Sequence, residues 1–290
     1  MRDASSLVLA REGAEGPQLY MVQRHRGHVF MAQAQVFVGG RVDAMDRTTD
    51  ILSRCTGGTP EQLAQRLGVE DPLRALGHYV GALREAFEES ALLLVEGVKG
   101  MAPDAHERRV LRDALLAGER SFVSILVELE ATLPLDSLRY LDHWITPPFE
   151  PRQYDTRFFI AAAPATQSAH ADLGETEGGD WFGVEEVLAR HLADEVILAP
   201  PTLCILEGLR GARSVEEILA QAKDSPVTAI RPRLLEGVEP RTLALPADHR
   251  YADPLSSEGR VHAMVYEAGR WVQKKQLTRR VDLPSASPLG

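Results

Sequence analysis

Two short apolar runs open the chain. Ser6-Leu7-Val8-Leu9 and Leu19-Tyr20-Met21-Val22 lean towards β structure, and Glu12-Gly13-Ala14-Glu15-Gly16-Pro17 between them has turn chemistry. Strands are expected over 5–10 and 18–24. Val36-Phe37-Val38 then runs into Gly39-Gly40, a short strand ending where the backbone turns sharply or something approaches it closely. Residues 41–72 are mostly polar and broken by Gly57-Gly58-Thr59-Pro60. Thr59-Pro60-Glu61 fits a helix start with proline at its first position, so a short helix is expected over 60–68.

The longest helical pattern covers 73–95. Leu76, Val80, Leu83, Phe87 and Leu94 recur near helical spacing there. Further helices are expected at about 104–117 and 121–130. Strands are expected over 139–145 and 156–163, joined by the proline-rich segment 146–151. Gly174 to Gly179 reads as a glycine-rich acidic loop leading into Asp180-Trp181-Phe182. Helices are expected over 184–191, 200–210 and 214–223. From 226 the texture changes to short β-like runs (227–230, 241–245, 261–267 and 270–273) between Pro/Gly turns.

Composition narrows what such a chain does. A hydrophobic fraction of 44% supplies a sizeable core without disulfide or metal staples. The two cysteines, Cys55 and Cys204, read as unpaired thiols of a reducing compartment. The first residues lack the apolar stretch of a signal peptide, and no apolar run approaches the ~20 residues of a spanning helix. Cytoplasm is the expected location. Lys+Arg total 32 against 42 Asp+Glu, a formal charge of −10. A net anion is a poor general binder of nucleic acid or an anionic membrane. If this chain handles phosphates, it must bring cations to them, as local Arg/Lys or as metal.

Arg84-Glu85-Ala86-Phe87-Glu88-Glu89 puts carboxylates at i, i+3 and i+4 on the long helix, and that spacing shares one face. Three like charges on one face repel unless a cation sits among them. Glutamate oxygens are hard ligands and suit Mg²⁺ or Mn²⁺ better than zinc. Arg84 can hold a neighbouring carboxylate bidentately. A solvated acidic face is the plain alternative. The apolar opposite face argues that this helix is docked on something.

Gly40, the acid Asp46 six positions later, and Arg84 to Leu92 resemble a Nudix box: glycine, five residues, glutamate, seven residues, then Arg-Glu-apolar-any-Glu-Glu-any-Gly-apolar. The chain departs from that pattern in four places. Asp46 stands for the glutamate, 37 residues (47–83) separate it from Arg84, Ala91 stands for the second glycine, and Val38 precedes Gly-Gly where proline is frequent. A split box is also the mark of the peroxisomal-type coenzyme A diphosphatases and their bacterial relatives. Phe30-Met31, Val36 to Asp43, Trp144 to Pro147, Tyr154 to Phe159, Glu177 to Trp181 and Leu198 to Thr202 are similar to that subgroup.

The resemblance implies an α/β/α sandwich of the Nudix type with a mixed sheet. It implies one domain over 1–225, enlarged by the 47–83 insertion, with an extension over 226–290 packed on it. It implies a metal-dependent hydrolase of a diphosphate linkage, most readily in coenzyme A or acyl-coenzyme A. Another nucleoside diphosphate conjugate (ADP-ribose, a dinucleotide) and a non-catalytic ligand-binding module stay open. Glu85, Glu88 and Glu89 would be metal ligands, with the Gly39 carbonyl a further one, and Arg84 would brace a glutamate. The later acid would come from Glu175, Glu177 and Asp180, with Glu177 the choice. Arg24, His25, Arg26, Arg41 and Arg157 are candidates for phosphate contacts, since Arg suits bidentate phosphate recognition. Mg²⁺ or Mn²⁺ is the expected cofactor and a small nucleotide diphosphate the expected partner. A homodimer is the assembly open to the chain. Trp144 and Trp181 read as core, and no histidine is assigned to metal.

Overall fold

Pro72–Ser90 forms one helix, α3 below, and the rest of the first unit is arranged around it. In this computed structural model the described residues are 1–26, 33–172, 174, 176–224 (backbone only at 223 and 224), 227–248 and 263–274. Phe30, Met31 and Glu175 lie outside them. The chain forms two units, Met1–Arg231 and Pro232–Gly290.

The first unit begins with β1 (Arg2–Gly13), β2 (Gly16–Arg24), β3 (Ala34–Val36) and β4 (Val38–Arg41). A 3-10 turn over Ala44–Arg47 follows, then α1 (Thr49–Leu52), β5 (Cys55–Thr56), α2 (Pro60–Leu67) and α3. Next come α4 (Ala105–Leu116), α5 (Phe122–Glu128), β6 (Leu133–Pro134), β7 (Arg139–Ile145) and β8 (Tyr154–Ala162). The unit closes with β9 (Thr176–Gly183), α6 (Val184–Leu192), β10 (Ile197–Leu198), α7 (Pro200–Gly208) and α8 (Val215–Asp224).

An eight-stranded mixed sheet runs β10-β3-β2-β1-β8-β7, with β4 also on β1 and β9 also on β2. β1 pairs parallel to β8 and antiparallel to β2 and β4. Side chains alternate across a strand, and β1 shows both faces in use. Ser5 Oγ lies 3.0 Å from Nδ1 of His78 on α3, whereas Glu12 Oε1 accepts the Val215 amide of α8 at 2.8 Å. Helices therefore cover both faces, the sandwich expected from the sequence. The α3 side carries a continuous apolar core that includes Leu7, Leu9, Tyr20, Tyr79, Phe87 and Phe159. The Tyr79 and Phe159 rings sit 4.6 Å apart, a tilted pair of the kind worth about 1 kcal/mol beyond its buried area.

Helix α3 starts where Asp71 caps it, its carboxylate accepting the Leu73 amide at 2.9 Å, with Pro72 in the first turn. It stops at Ser90, short of the expected 95. Ala91 takes a left-handed backbone at φ 56°, and Leu92 to Leu94 continue as buried non-helical chain. Those leucines mimic helical spacing while packing from a non-helical segment. The 174–179 loop reading is corrected too: β9 begins at Thr176 and pairs along β2 from Arg24 to Gln18. Glycine and acids are poor strand formers, but the β2 backbone supplies a ladder for them.

The second unit holds β11 (Arg233–Leu234), β12 (Thr242–Ala244), β13 (Ala263–Glu267) and β14 (Arg270–Lys274) in sequential order. The Tyr266 and Trp271 rings pack edge to face at 5.2 Å. Among the described residues, no helix is long and apolar enough to cross a membrane.

Candidate active site

The last two turns of α3 bring Arg84, Glu85, Glu88 and Glu89 to the end of β4. Arg84 is 7% exposed. Its Nε and Nη2 each donate to one oxygen of Asp46 at 2.9 Å, and Nη2 also donates to the Arg41 carbonyl at 2.8 Å. Nη1 donates to Glu85 at 3.0 Å and to Glu88 at 2.9 Å. One guanidinium thus ties the 3-10 turn, the strand end and two helix carboxylates together. Asp46 and Arg84, 38 positions apart in the chain, meet here. The intervening segment loops out as α1, β5, α2 and the first turns of α3.

The two glycines are there because of their neighbours. Gly40 abuts Glu85: a Cβ at Gly40 would stand 2.6 Å from that carboxylate. Gly39 has φ +155°, and a Cβ on it would fall 2.5 Å from the Ser5 carbonyl oxygen of β1. Its amide donates to Glu89 Oε2 at 2.8 Å. The strand end therefore presses its backbone on β1 at Gly39 and on a helix carboxylate at Gly40, an approach that residues without side chains permit.

The carboxylates are crowded. Asp46, Glu85 and Glu88 share the Arg84 guanidinium. Burial pushes the Glu85 carboxyl up to about 8, with Glu88 and Asp46 adding to the rise and Arg84 opposing it. Burial also raises Glu88, again against Arg84. Clustered hard oxygen donors are the chemistry of a Mg²⁺ or Mn²⁺ site. In the present rotamers Arg84 spans two of the glutamates, and among the described residues no three acidic, imidazole or thiol groups enclose a common point. The donor set and the charge fit such a cation.

The remaining candidates divide. Arg26 Nε lies 3.1 Å from Glu177 Oε1, and the Arg26 amide donates to the same oxygen at 3.2 Å. Glu177 is therefore engaged by β2's end and does not join the glutamates of α3. Asp180 is exposed, and its carboxylate accepts the Trp181 amide. Arg24 closes β2 opposite Thr176, and Arg41 extends from the glycine pair with its side chain exposed. Arg157 departs from the expectation: it is 3% exposed and paired with Asp155 and His143. It points to the α3 side of β8, among Asp3, Arg74 and His78, because its strand position faces the core. Trp144 is 4% exposed and donates to Asp142. Trp181 carries Arg11 at 4.3 Å from its ring centre and Tyr20 at 5.2 Å, so it is packed.

Sequence reasoning missed what finishes α3. Its terminal carbonyls are taken by a strap and by α4. The His170 amide donates to Ser90, the Asp172 amide to Glu89, and Arg108 Nε to Ala91. Arg112 Nη1 in turn holds the His170 carbonyl at 2.9 Å. A cation at a helix C-terminus is favourable, but contacts spanning some 80 residues leave no local sequence pattern.

Comparison with known proteins agrees with this geometry. The family model described as the NUDT19 Nudix domain matches residues 62–209, just over half of the chain. A human protein named acyl-coenzyme A diphosphatase NUDT19 is 28% identical over 251 residues, 71% of this chain and 64% of that protein. The protein of that name from Gallus gallus is 27% identical, covering 87% of this chain and 80% of its own length. The crystal structure of a Nudix hydrolase from Alicyclobacillus acidocaldarius superimposes with a TM-score of 0.66 at 25% identity, over 78% of this chain and 98% of that one. The chain thus spans slightly less than two thirds of the human relative it matches. With the matched segment carrying the Arg84–Glu89 cluster and the fold joining it to Gly39, Gly40 and Asp46, the chain belongs to the Nudix family described by the NUDT19 domain.

Proposed function

We propose that this protein is a divalent-cation-dependent hydrolase of diphosphate linkages whose substrate is coenzyme A or an acyl-coenzyme A. The observation that carries the reading is the meeting of Glu85, Glu88 and Glu89 with the Gly39-Gly40 strand end, held by Arg84. The names of the relatives support the substrate class.

A diphosphate is anionic and repels a nucleophile. Bound Mg²⁺ or Mn²⁺ would neutralise that charge and align a water. Glu85, Glu88 and Glu89 would hold the cations, with the Gly39 carbonyl as a further oxygen. Arg84 holds Glu85 and Glu88 together beside the strand end. A carboxylate of this cluster takes the proton of the attacking water. Arg24 and Arg41, near the strand ends that flank the cluster, are the phosphate-contacting candidates kept; Arg26 is tied to Glu177. Positioning and charge compensation carry most of phosphoryl-transfer catalysis.

The test is a panel of coenzyme A, an acyl-coenzyme A, ADP-ribose and a dinucleotide with Mg²⁺ or Mn²⁺, with products identified by mass. Release of 3′,5′-ADP and a phosphopantetheine supports the reading. Cleavage of ADP-ribose or the dinucleotide with coenzyme A intact refutes the substrate class.

A further inference from the structure

Glu88 and Glu89 stand in the last turn of α3, which ends at Ser90. The final carbonyls of a helix have no partner within it, and such a turn frays unless something else takes them. Here the segment 167–172 takes them. The His170 amide donates to the Ser90 carbonyl at 2.7 Å, and the Asp172 amide to the Glu89 carbonyl at 3.2 Å. The Gln167 side chain accepts the Leu93 amide and donates to the Leu93 carbonyl, each at 2.9 Å. Glu89 is thus fixed at both ends, its carboxylate on the Gly39 amide at 2.8 Å and its carbonyl on the Asp172 amide.

The segment is itself held from α4. Arg112 is 8% exposed, and its Nη1 donates to the His170 carbonyl at 2.9 Å. Its Nε and Nη2 share Asp113 Oδ1 at 3.1 and 2.9 Å, which leaves Nη1 for the segment. Arg109 Nη1 lies 3.3 Å from His170 Nε2. Two hydrogen bonds therefore separate the Arg112 guanidinium from the Ser90 carbonyl, next to Glu89.

We propose that Arg112 is a positioning residue for the carboxylates of the last turn of α3, acting through segment 167–172 on the backbone of Glu89 and Ser90. The assignment rests on reading the Glu85, Glu88 and Glu89 cluster as the cation site. Groups that hold a metal ligand from behind set its orientation, and losing one typically weakens binding about 10- to 100-fold. The sign of the effect separates position from charge. A guanidinium near a cation site repels the metal, so loss of its charge alone would tighten binding. Loss of a support weakens it.

Calorimetric titration of the full chain with Mn²⁺ alone, well below each variant's melting temperature, tests this without reference to turnover. Arg112→Met is expected to bind Mn²⁺ about 10-fold more weakly. Arg112→Lys keeps the charge and a donor for the His170 carbonyl, and is expected to regain most of that loss. Gln167→Leu removes the other anchor from a half-buried position without changing charge. It is expected to weaken binding in the same direction, and it decides the question if Arg112→Met does not fold. Parent-like or tighter binding by folded Arg112→Met overturns the assignment, even if its melting temperature falls, and leaves the cation site standing. So does parent-like binding by Gln167→Leu. An Arg112→Lys no better than Arg112→Met also overturns it, since the loss would then be general packing damage. A parent protein that binds no Mn²⁺ overturns the cation reading itself, and the Arg112 assignment with it.

Discussion

Arg84 and Asp46 form a bidentate pair in which the guanidinium Nε and Nη2 each reach one carboxylate oxygen at 2.9 Å. Asp46 is 2% exposed and Arg84 7%, so the pair closes the split box inside the protein rather than on its surface. Breaking a buried pair from one side leaves an uncompensated group, at a cost of about 3–5 kcal/mol. Asp46→Asn is expected to cost about 3 kcal/mol, near the low end, because Arg84 keeps Glu85 and Glu88. Asp46→Glu, which restores the residue type usual in the resembling pattern, should lose less. Urea unfolding of the three proteins checks the order.

The two glycines should fail differently. Alanine at Gly40 meets the tip of a flexible glutamate, so the fold yields by moving Glu85. Gly40→Ala is expected to keep nearly the parent melting temperature while losing about 100-fold in kcat/KM, the scale of a displaced catalytic group. Alanine at Gly39 meets the β1 backbone, which cannot move aside. Gly39→Ala is expected to lower the melting temperature as well as activity. Equal effects on melting would show that the strand end does not press on Glu85.

Arg157 was a phosphate candidate on residue type alone. Its burial with Asp155 and His143 makes it part of the support beneath α3. Arg157→Gln should therefore destabilise the fold by about 3 kcal/mol, with KM for substrate unchanged at temperatures where the protein is folded. A raised KM with unchanged stability would return Arg157 to the binding site.

The same network makes stability depend on acid. Burial, then the Arg157 charge, holds His78 down to about 4, below the ~6.5 of an unfolded histidine. The unfolded chain therefore binds the extra proton first, and stability falls as pH drops from about 6.5 to about 4. The slope is about 1.4 kcal/mol per pH unit for one proton. Asp155 adds a second stage with the same sign. Burial pushes its carboxyl up, but the His143 hydrogen bond and the Arg157 charge outweigh that and hold it at about 2. Stability is lost there as pH falls from about 4 to about 2. His78→Asn is expected to flatten the first stage and leave the second, as read from urea midpoints across pH.

Much of this was legible in the chain because it rests on local periodicity. The i, i+3, i+4 glutamates, the apolar back of α3 and the strand ending in Gly39-Gly40 all lie within single elements. The resemblance gave Arg84 a glutamate to brace but not its pairing with Asp46, since residue spacing does not encode which distant acid meets which arginine. What stayed hidden has physical causes. Helix α3 ends at Ser90 because Ala91 turns left-handed while three leucines preserve the apolar spacing. Arg157 faces inward by strand parity, which a one-residue uncertainty in register would reverse.

The most direct measurement is hydrolysis of coenzyme A with Mg²⁺ or Mn²⁺, run beside Glu85→Gln, Glu88→Gln and Glu89→Gln and with chelator added. Cation-dependent release of 3′,5′-ADP and phosphopantetheine by the parent, lost with chelator and reduced about 100-fold or more in the three variants, is the expected result. Turnover that survives chelation or the loss of these glutamates, or a parent that binds Mn²⁺ and cleaves no diphosphate in the panel, would contradict it.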